Sequence, residues 1–307
     1  MEKKLSTFDF ESLLGIKASI YLQKCIEEMD LRYKDILERE HDFLVTKTIK
    51  TLLDGNLKKA GEERRKEWED GWAENYNLIV DQDSDSKHLI PKYFNKYNAV
   101  RYKGRYIQPI SKNFEKNTLS LIINYLSDKY FRTAENIYEF GCGTGHNLLQ
   151  ARKVNKKAEL WGLDWAKSSQ DIINKLRADG IDRSIFASNF DYFNPNKDFL
   201  LKPNSVVMTV ASLEQVGSRW VEFVDYLIEN KPLLCVHIEP IAELLDENRV
   251  LDFLSIEYFK QRNYLSGFLN GLERKSELNE ITIHDRRRTH LGSLFIEGYS
   301  IVVWSPN

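Results

Sequence analysis

The stretch Ile137-Tyr138-Glu139-Phe140-Gly141-Cys142-Gly143-Thr144-Gly145-His146-Asn147 decides how this chain reads. A short, mostly apolar run has the length of a buried strand, three alternating glycines then force a turn, and HNLLQARKVN resumes at helical spacing. Glycine lets the backbone take left-handed conformations and pass close to a ligand, and the N-terminus of the following helix faces that ligand. In an open α/β sheet such a turn lies on the carboxyl edge, where ligands bind.

The same grammar continues on both sides. LSLIINYLSDKYF reads as a helix, ELWGLD as a second strand, and SSQDIINKLRADG as a helix with Ser168 and Asp171 at capping-box spacing and Gly180 as its stop. SIFASNF, SVVMTVA and PLLCVHI are further strands, most of them separated by helical patterns. This alternation predicts a doubly wound, mainly parallel sheet. Past Pro240 a helical insertion runs over about 241–280, and ITIHDRRR and SLFIEGYSIVVW form a terminal antiparallel pair.

Upstream of Phe114 the periodicity is helical from about Phe8 to Leu53, breaks at Asp54-Gly55-Asn56, and returns in GEERRKEWEDGWAENYNLI. There Trp68, Trp72 and Tyr76 share a face at i, i+4 and i+8, a stripe expected to dock the helix on a core. Asp81 to Ser111 reads as a long loop, and its tyrosines and arginines favour a lid over a linker. Asp81, Asp83 and Asp85 begin like a calcium loop, but Ser86 and Lys92 stand where glycine and glutamate are needed, so a solvated turn is expected.

Composition narrows the function classes. The 307 residues carry 44 Lys plus Arg against 46 Asp plus Glu, so the broad cationic field that nucleic-acid backbones need is missing and nucleic acid is a minority reading. Charges interrupt the N-terminal apolar residues before a secretory segment forms, and no apolar run reaches about 18 residues. A cytoplasmic protein without membrane insertion is expected. Cys25, Cys142 and Cys235 are odd in number and dispersed, which argues for reduced thiols and against a disulfide framework or a zinc site; no metal is expected.

A dinucleotide fingerprint places its third glycine where this chain has His146. The G-x-G-x-G form, with Glu139 two positions before the first glycine, instead resembles motif I of the class I S-adenosylmethionine-dependent methyltransferases. Asp164 ends the next strand about 20 residues on, where a carboxylate reaches the ribose hydroxyls of an adenosine. Asp164 thus supports a nucleoside without choosing between cofactors.

The resemblance implies S-adenosylmethionine as cofactor and a seven-stranded Rossmann-like α/β sheet with an antiparallel C-terminal strand over 114–307. A helical N-terminal region and lid loop precede it over 1–113, and with the 241–280 insertion they are expected to cover the donor pocket. It also implies a cofactor set: Glu139, Gly141, Cys142, Gly143, Gly145 and Asn147 around the loop, and Asp164 with Trp165 beside it. Asn189 and Phe190 are expected at the adenine, with Asp191 the alternative acid in a shifted register, and Ser212 and Leu213 at the fourth strand. Arg101, from the lid loop, is the candidate for a carboxylate contact through its guanidinium fork.

VVMTVASLEQVG lacks the Asn/Asp-Pro-Pro-Tyr/Phe signature of enzymes that methylate nucleic acids or protein glutamine. The expected activity is methyl transfer to a small-molecule acceptor, oxygen favoured over nitrogen, with a saccharide or metabolite precursor as substrate type. N-methylation, a non-catalytic cofactor-binding scaffold and, further off, a nucleotide-dependent oxidoreductase are the alternatives. An alcohol acceptor needs a base, a carboxylate or neutral amine little help. His237 is the first candidate because imidazole titrates near neutrality, with Glu214 and Glu239 next. Alternation puts His237 and Glu239 on one strand face. His284 and His290, around Asp285 and Arg286 to Arg288, read either as an anion site or as a solvated strand edge.

Overall fold

A computed structural model describes residues 2–82 and 86–307. The chain begins with β1 (Glu2–Lys4), α1 (Thr7–Leu14), α2 (Ile20–Glu28), β2 (Arg32–Asp35), α3 (Glu38–Leu53) and α4 (Arg65–Gln82). Next come β3 (Val100–Tyr102), β4 (Arg105–Pro109) and α5 (Phe114–Leu126). The alternating part follows as β5 (Asn136–Phe140), α6 (His146–Val154), β6 (Glu159–Asp164), α7 (Lys167–Ala178), β7 (Ile185–Asn189), β8 (Ser205–Val210), α8 (Val221–Asn230) and β9 (Leu234–Glu239). The chain closes with α9 (Val250–Arg262), α10 (Phe268–Glu277), β10 (Ile281–Arg287), β11 (Leu291–Gly292) and β12 (Ser300–Pro306).

The main sheet has seven strands in the order β10-β12-β9-β8-β5-β6-β7. β5 pairs in parallel with both β6 and β8, and β12 enters antiparallel between β9 and β10. After β5 the chain winds to β6 and β7, then returns to the other side of β5 for β8 and β9. The order therefore reverses beside β5, which opens a crevice between the loops after β5 and β8. The central strands β5, β8 and β9 are buried on both faces, so their sequences are nearly continuous apolar runs, whereas the edge strand β10 alternates buried and exposed residues. Ile137, Val206, Val236 and Ile301 face the layer holding α5, α6 and α7, and Tyr138, Val207, Cys235 and Val302 face the layer holding α8 and α10.

Three local expectations change. The segment after Asp81 is not one long loop: β3 and β4 form a hairpin within a second sheet, ordered β1-β2-β4-β3-β11, to which residues 291–292 contribute the last strand. The N-terminal region is accordingly part strand and shares its sheet with the C-terminal segment. The strand read in SLFIEGYSIVVW starts only at Ser300, because the carbonyls of Leu294 and Phe295 turn inward to hold Arg101. Helix α7 begins after Ala166, which leaves Ser168 inside its first turn, where its amide bonds Glu69 of α4 instead of closing a box with Asp171. Gly180 does follow the helix, at φ 73°. Of the calcium-like run, Asp83 and Asp85 lie outside the described residues. Among the described residues no helix is long and apolar enough to cross a membrane.

Candidate active site

The crevice beside β5 is a narrow cleft with a cavity volume of about 70 Å³, lined by the glycine loop and by aromatic side chains. Its floor is the glycine loop. Gly141 and Gly143 have φ of 67° and 52°, and a Cβ on them would lie 2.4 Å from Ser212 Cβ and 2.7 Å from a Trp72 ring carbon. Both positions need glycine for conformation and for space.

The loop's amides are turned inward. Gly141 and Cys142 N–H donate to the Leu163 carbonyl at 2.7 and 3.1 Å, and Gly145 N–H donates to the Cys142 carbonyl at 2.9 Å. Gly143 N–H donates to Asp164 Oδ2 at 2.9 Å, while Asp164 Oδ1 accepts from Ala166 N–H at 2.9 Å. Asp164 thereby pins the loop to the end of β6 and still lines the cleft. Burial pushes its carboxyl up to about 6 against the pull of those two amides.

Glu139, on β5 directly behind the loop, is fully buried. Its Oε1 accepts from Asn147 Nδ2 at 2.7 Å, and its Oε2 has no partner. Burial lifts this carboxyl to about 8. A buried carboxylate oxygen without a donor is costly, and a cationic or N–H-bearing ligand would satisfy it.

The walls are aromatic. Trp165 and Phe193 stack near-parallel at 6.1 Å beside Asp164, and Tyr192 shares a 2.9 Å hydrogen bond with Ser212. Opposite them stand Trp68 and Trp72 of α4, stacked at 5.8 Å, and Tyr93. None of the described residues lining the cleft is a lysine or an arginine. His146, the first residue of α6, also lines it, and burial together with Lys116 and Lys153 lowers its imidazole to about 4.

Of the cofactor residues expected from sequence, Gly141, Cys142, Gly143, Asn147, Asp164, Trp165, Phe190 and Ser212 line the cleft. Glu139 lies behind the floor, Gly145 packs on Ile173, and Leu213 is buried in the core. Asn189 is exposed and reaches the Trp165 carbonyl at 3.4 Å instead of the cleft, and Asp191 bonds Arg65. Arg101 is not a ligand residue. It is 3% exposed, and its guanidinium is spent on the carbonyls of Leu251, Leu294 and Phe295 and the Ser255 hydroxyl.

None of the three expected bases lines the cleft. His237 sits in the opposite layer, fully buried between the Phe268 and Trp304 rings. Its Nε2 accepts from the Trp304 indole N–H at 2.9 Å, which places the proton on Nδ1, 2.9 Å from the Thr209 hydroxyl. Burial holds it neutral, down to about 3. Glu239 accepts the amides of Ser212, Leu213 and Glu214 at 3.1–3.2 Å and so fixes the turn after β8. Glu214 is 8% exposed and accepts from the Gln215 amide, so Gln215 and not Glu214 reaches the cleft. The 241–280 insertion supplies no lining residue: α9 packs on α3 and α10 on β10. The cover comes from α4 and the turn carrying Pro91 and Tyr93. The cluster at 284–290 is paired within the fold, Arg286 with Glu273, Arg287 with Asp285, and Arg288 with Asp252 and Glu297.

No model of a known protein family matches this chain, and no curated protein matches it by sequence. Among solved structures, the N-methyltransferase NodS from Bradyrhizobium japonicum WM9, in complex with S-adenosyl-L-homocysteine, is 10% identical with a TM-score of 0.48, over 76% of this chain and 98% of that one. The O-methyltransferase NcsB1 from neocarzinostatin biosynthesis is 13% identical with a TM-score of 0.44, over 63% of this chain and 58% of that one. Human N-acetylserotonin methyltransferase is 11% identical with a TM-score of 0.42, over 64% of this chain and 57% of that one. The chain thus spans under two thirds of the length of these last two. By its own strand order, with the reversal beside β5 and the antiparallel β12, the chain has the Rossmann-like fold of the class I S-adenosylmethionine-dependent methyltransferases.

Proposed function

We propose that this protein is a methyltransferase that takes its methyl group from S-adenosylmethionine and acts on a small molecule. The observation that carries this is that the cleft offers no seat for a phosphate. None of the described residues lining it is a lysine or an arginine, and four of the five amides from 141 to 145 are bonded inside the protein. A pyrophosphate needs those amides or a basic side chain, so NAD and FAD fit badly. A nucleoside carrying an ammonium and a sulfonium fits: Asp164 faces its ribose, Trp165 and Phe193 its base, and Glu139 Oε2 a positive amine. When bound, the sulfonium supplies an electrophilic methyl group for in-line displacement.

The chain's own contribution is alignment of donor and acceptor in a cleft walled by aromatic side chains. Oxygen remains the favoured acceptor, of saccharide or metabolite type, and His146 takes the base role first given to His237. It lines the cleft, which is the reason for the choice; at about 4 its imidazole is a weak base in the ligand-free protein.

Isothermal calorimetry with S-adenosylmethionine, S-adenosylhomocysteine and NAD tests the cofactor. Micromolar binding of the two sulfur nucleosides with silence from NAD is the expected result. Binding of NAD alone returns the protein to the oxidoreductases.

A further inference from the structure

Helix α4 closes the cleft and is tied down along its length. Arg65 pairs with Asp191, Arg64 Nη1 donates to Gln215 Oε1 at 3.3 Å, Ser168 N–H donates to Glu69 Oε1 at 3.0 Å, and Asn75 Nδ2 donates to the His88 carbonyl at 2.8 Å. These ties hold the Trp72 ring against Gly143.

Of the seven indole and benzenoid rings that line the cleft, Phe190 is packed into the core, and the other six fall into two groups. Three have a guanidinium of the protein over them: Arg64 over Trp68 at 5.1 Å, Arg65 over Trp165 at 4.7 Å and Arg219 over Phe193 at 4.6 Å. Among the described residues no cation lies over Trp72, Tyr93 or Tyr192. Those three rings stand around the glycine loop: Trp72 on Gly143, and the Tyr192 hydroxyl 3.2 Å from where a Gly141 Cβ would lie. Tyr93 is 37% exposed and borders the cleft. Aromatic faces attract cations. This end of the cleft is built for positive charge and holds none of its own.

We propose that Trp72, with Tyr93 and Tyr192, makes the cleft select a positively charged methyl donor over the neutral thioether left after transfer. The inference rests on the S-adenosylmethionine reading. Donor and product share adenosine, ribose and amino-acid parts, so every residue that recognises those parts treats them alike. A wall of electron-rich rings is the part that tells them apart, and it loosens its hold once the charge on sulfur is gone.

The test is a ratio of affinities on the full chain, for S-adenosylmethionine, S-adenosylhomocysteine and sinefungin, which carries an amine near the position of the transferred methyl. Trp72→Leu is expected to weaken the two cationic ligands about fivefold more than S-adenosylhomocysteine, the size of a cation–π contact, and Trp72→Phe to lie between. General loosening of α4 moves all three affinities together and leaves the ratio unchanged. Tyr93→Leu, on a separate segment, is expected to shift the ratio the same way if Trp72→Leu folds poorly. Ratios unchanged in both leucine variants, with S-adenosylhomocysteine still binding, overturn this inference and leave the cofactor reading standing. Failure of all three ligands to bind the wild-type chain overturns both.

Discussion

Glu139 Oε2 is the most telling single atom of the site, because burying a carboxylate oxygen without a donor costs stability that a ligand can return. Glu139→Gln is therefore expected to weaken S-adenosylmethionine and S-adenosylhomocysteine alike by about 1.5–3 kcal/mol, the worth of a charge-assisted hydrogen bond, since both carry the amino group. Calorimetry on the variant checks this, and loss of one ligand only would move the contact elsewhere. The carboxyl must ionise to hold a cation, so wild-type affinity should rise with pH toward about 8. His237 behaves in the opposite way. His237→Leu strands the Trp304 N–H and the Thr209 hydroxyl in the core, and about 1–3 kcal/mol of stability should be lost with cofactor affinity kept. Chemical denaturation beside calorimetry separates the two. Sequence spacing put His237 and Glu239 on one strand face, and they do share it. It could not say that this face looks into the layer of α8 and α10, because that depends on how the chain winds around the sheet.

At the scale of elements, the strand-turn-helix of residues 136–154 and the acid ending β6 were legible because each is encoded locally, by apolar run, glycine spacing and register. The roof was half legible. The stripe Trp68, Trp72, Tyr76 is plain in the sequence and predicts a docking face. Tyr76 does pack on the core, but Trp68 and Trp72 close a cleft whose floor lies some 70 residues downstream, a tertiary contact that no local pattern encodes. The capping of α7 went the same way, for its first turn is completed by Glu69 of α4. Glu69→Ala should remove that cap, cost about 1 kcal/mol and raise hydrogen exchange across α4 more than across α5. Equal exchange in the two helices would mean that Ser168 and Glu69 do not tie the roof down.

For the molecule as a whole, the buried acids set the response to pH. Burial lifts Asp164 to about 6, Glu115 and Glu239 to about 7, and Glu139 and Glu214 to about 8. Each folded value lies above the unfolded one, so the native state keeps protons that the unfolded chain has released. Their contribution is fully present below the ordinary carboxyl range and is lost as pH rises through the folded values. His146 and His237, lowered to about 4 and 3, work the other way, but their effect is complete once pH passes about 6.5, the ordinary imidazole value. Between pH 6.5 and 8 the acids act alone, and the ligand-free protein is expected to lose stability steadily across that window. A cation seated at Glu139 favours its ionised form and lowers its folded value, so saturating S-adenosylmethionine should flatten the decline as well as raise the curve. Denaturation midpoints at several pH values, with and without the ligand, check both parts. A ligand-free curve that rises toward pH 8 would mean that these carboxyls are already ionised in the ligand-free protein, and would remove the expected rise of donor affinity with pH.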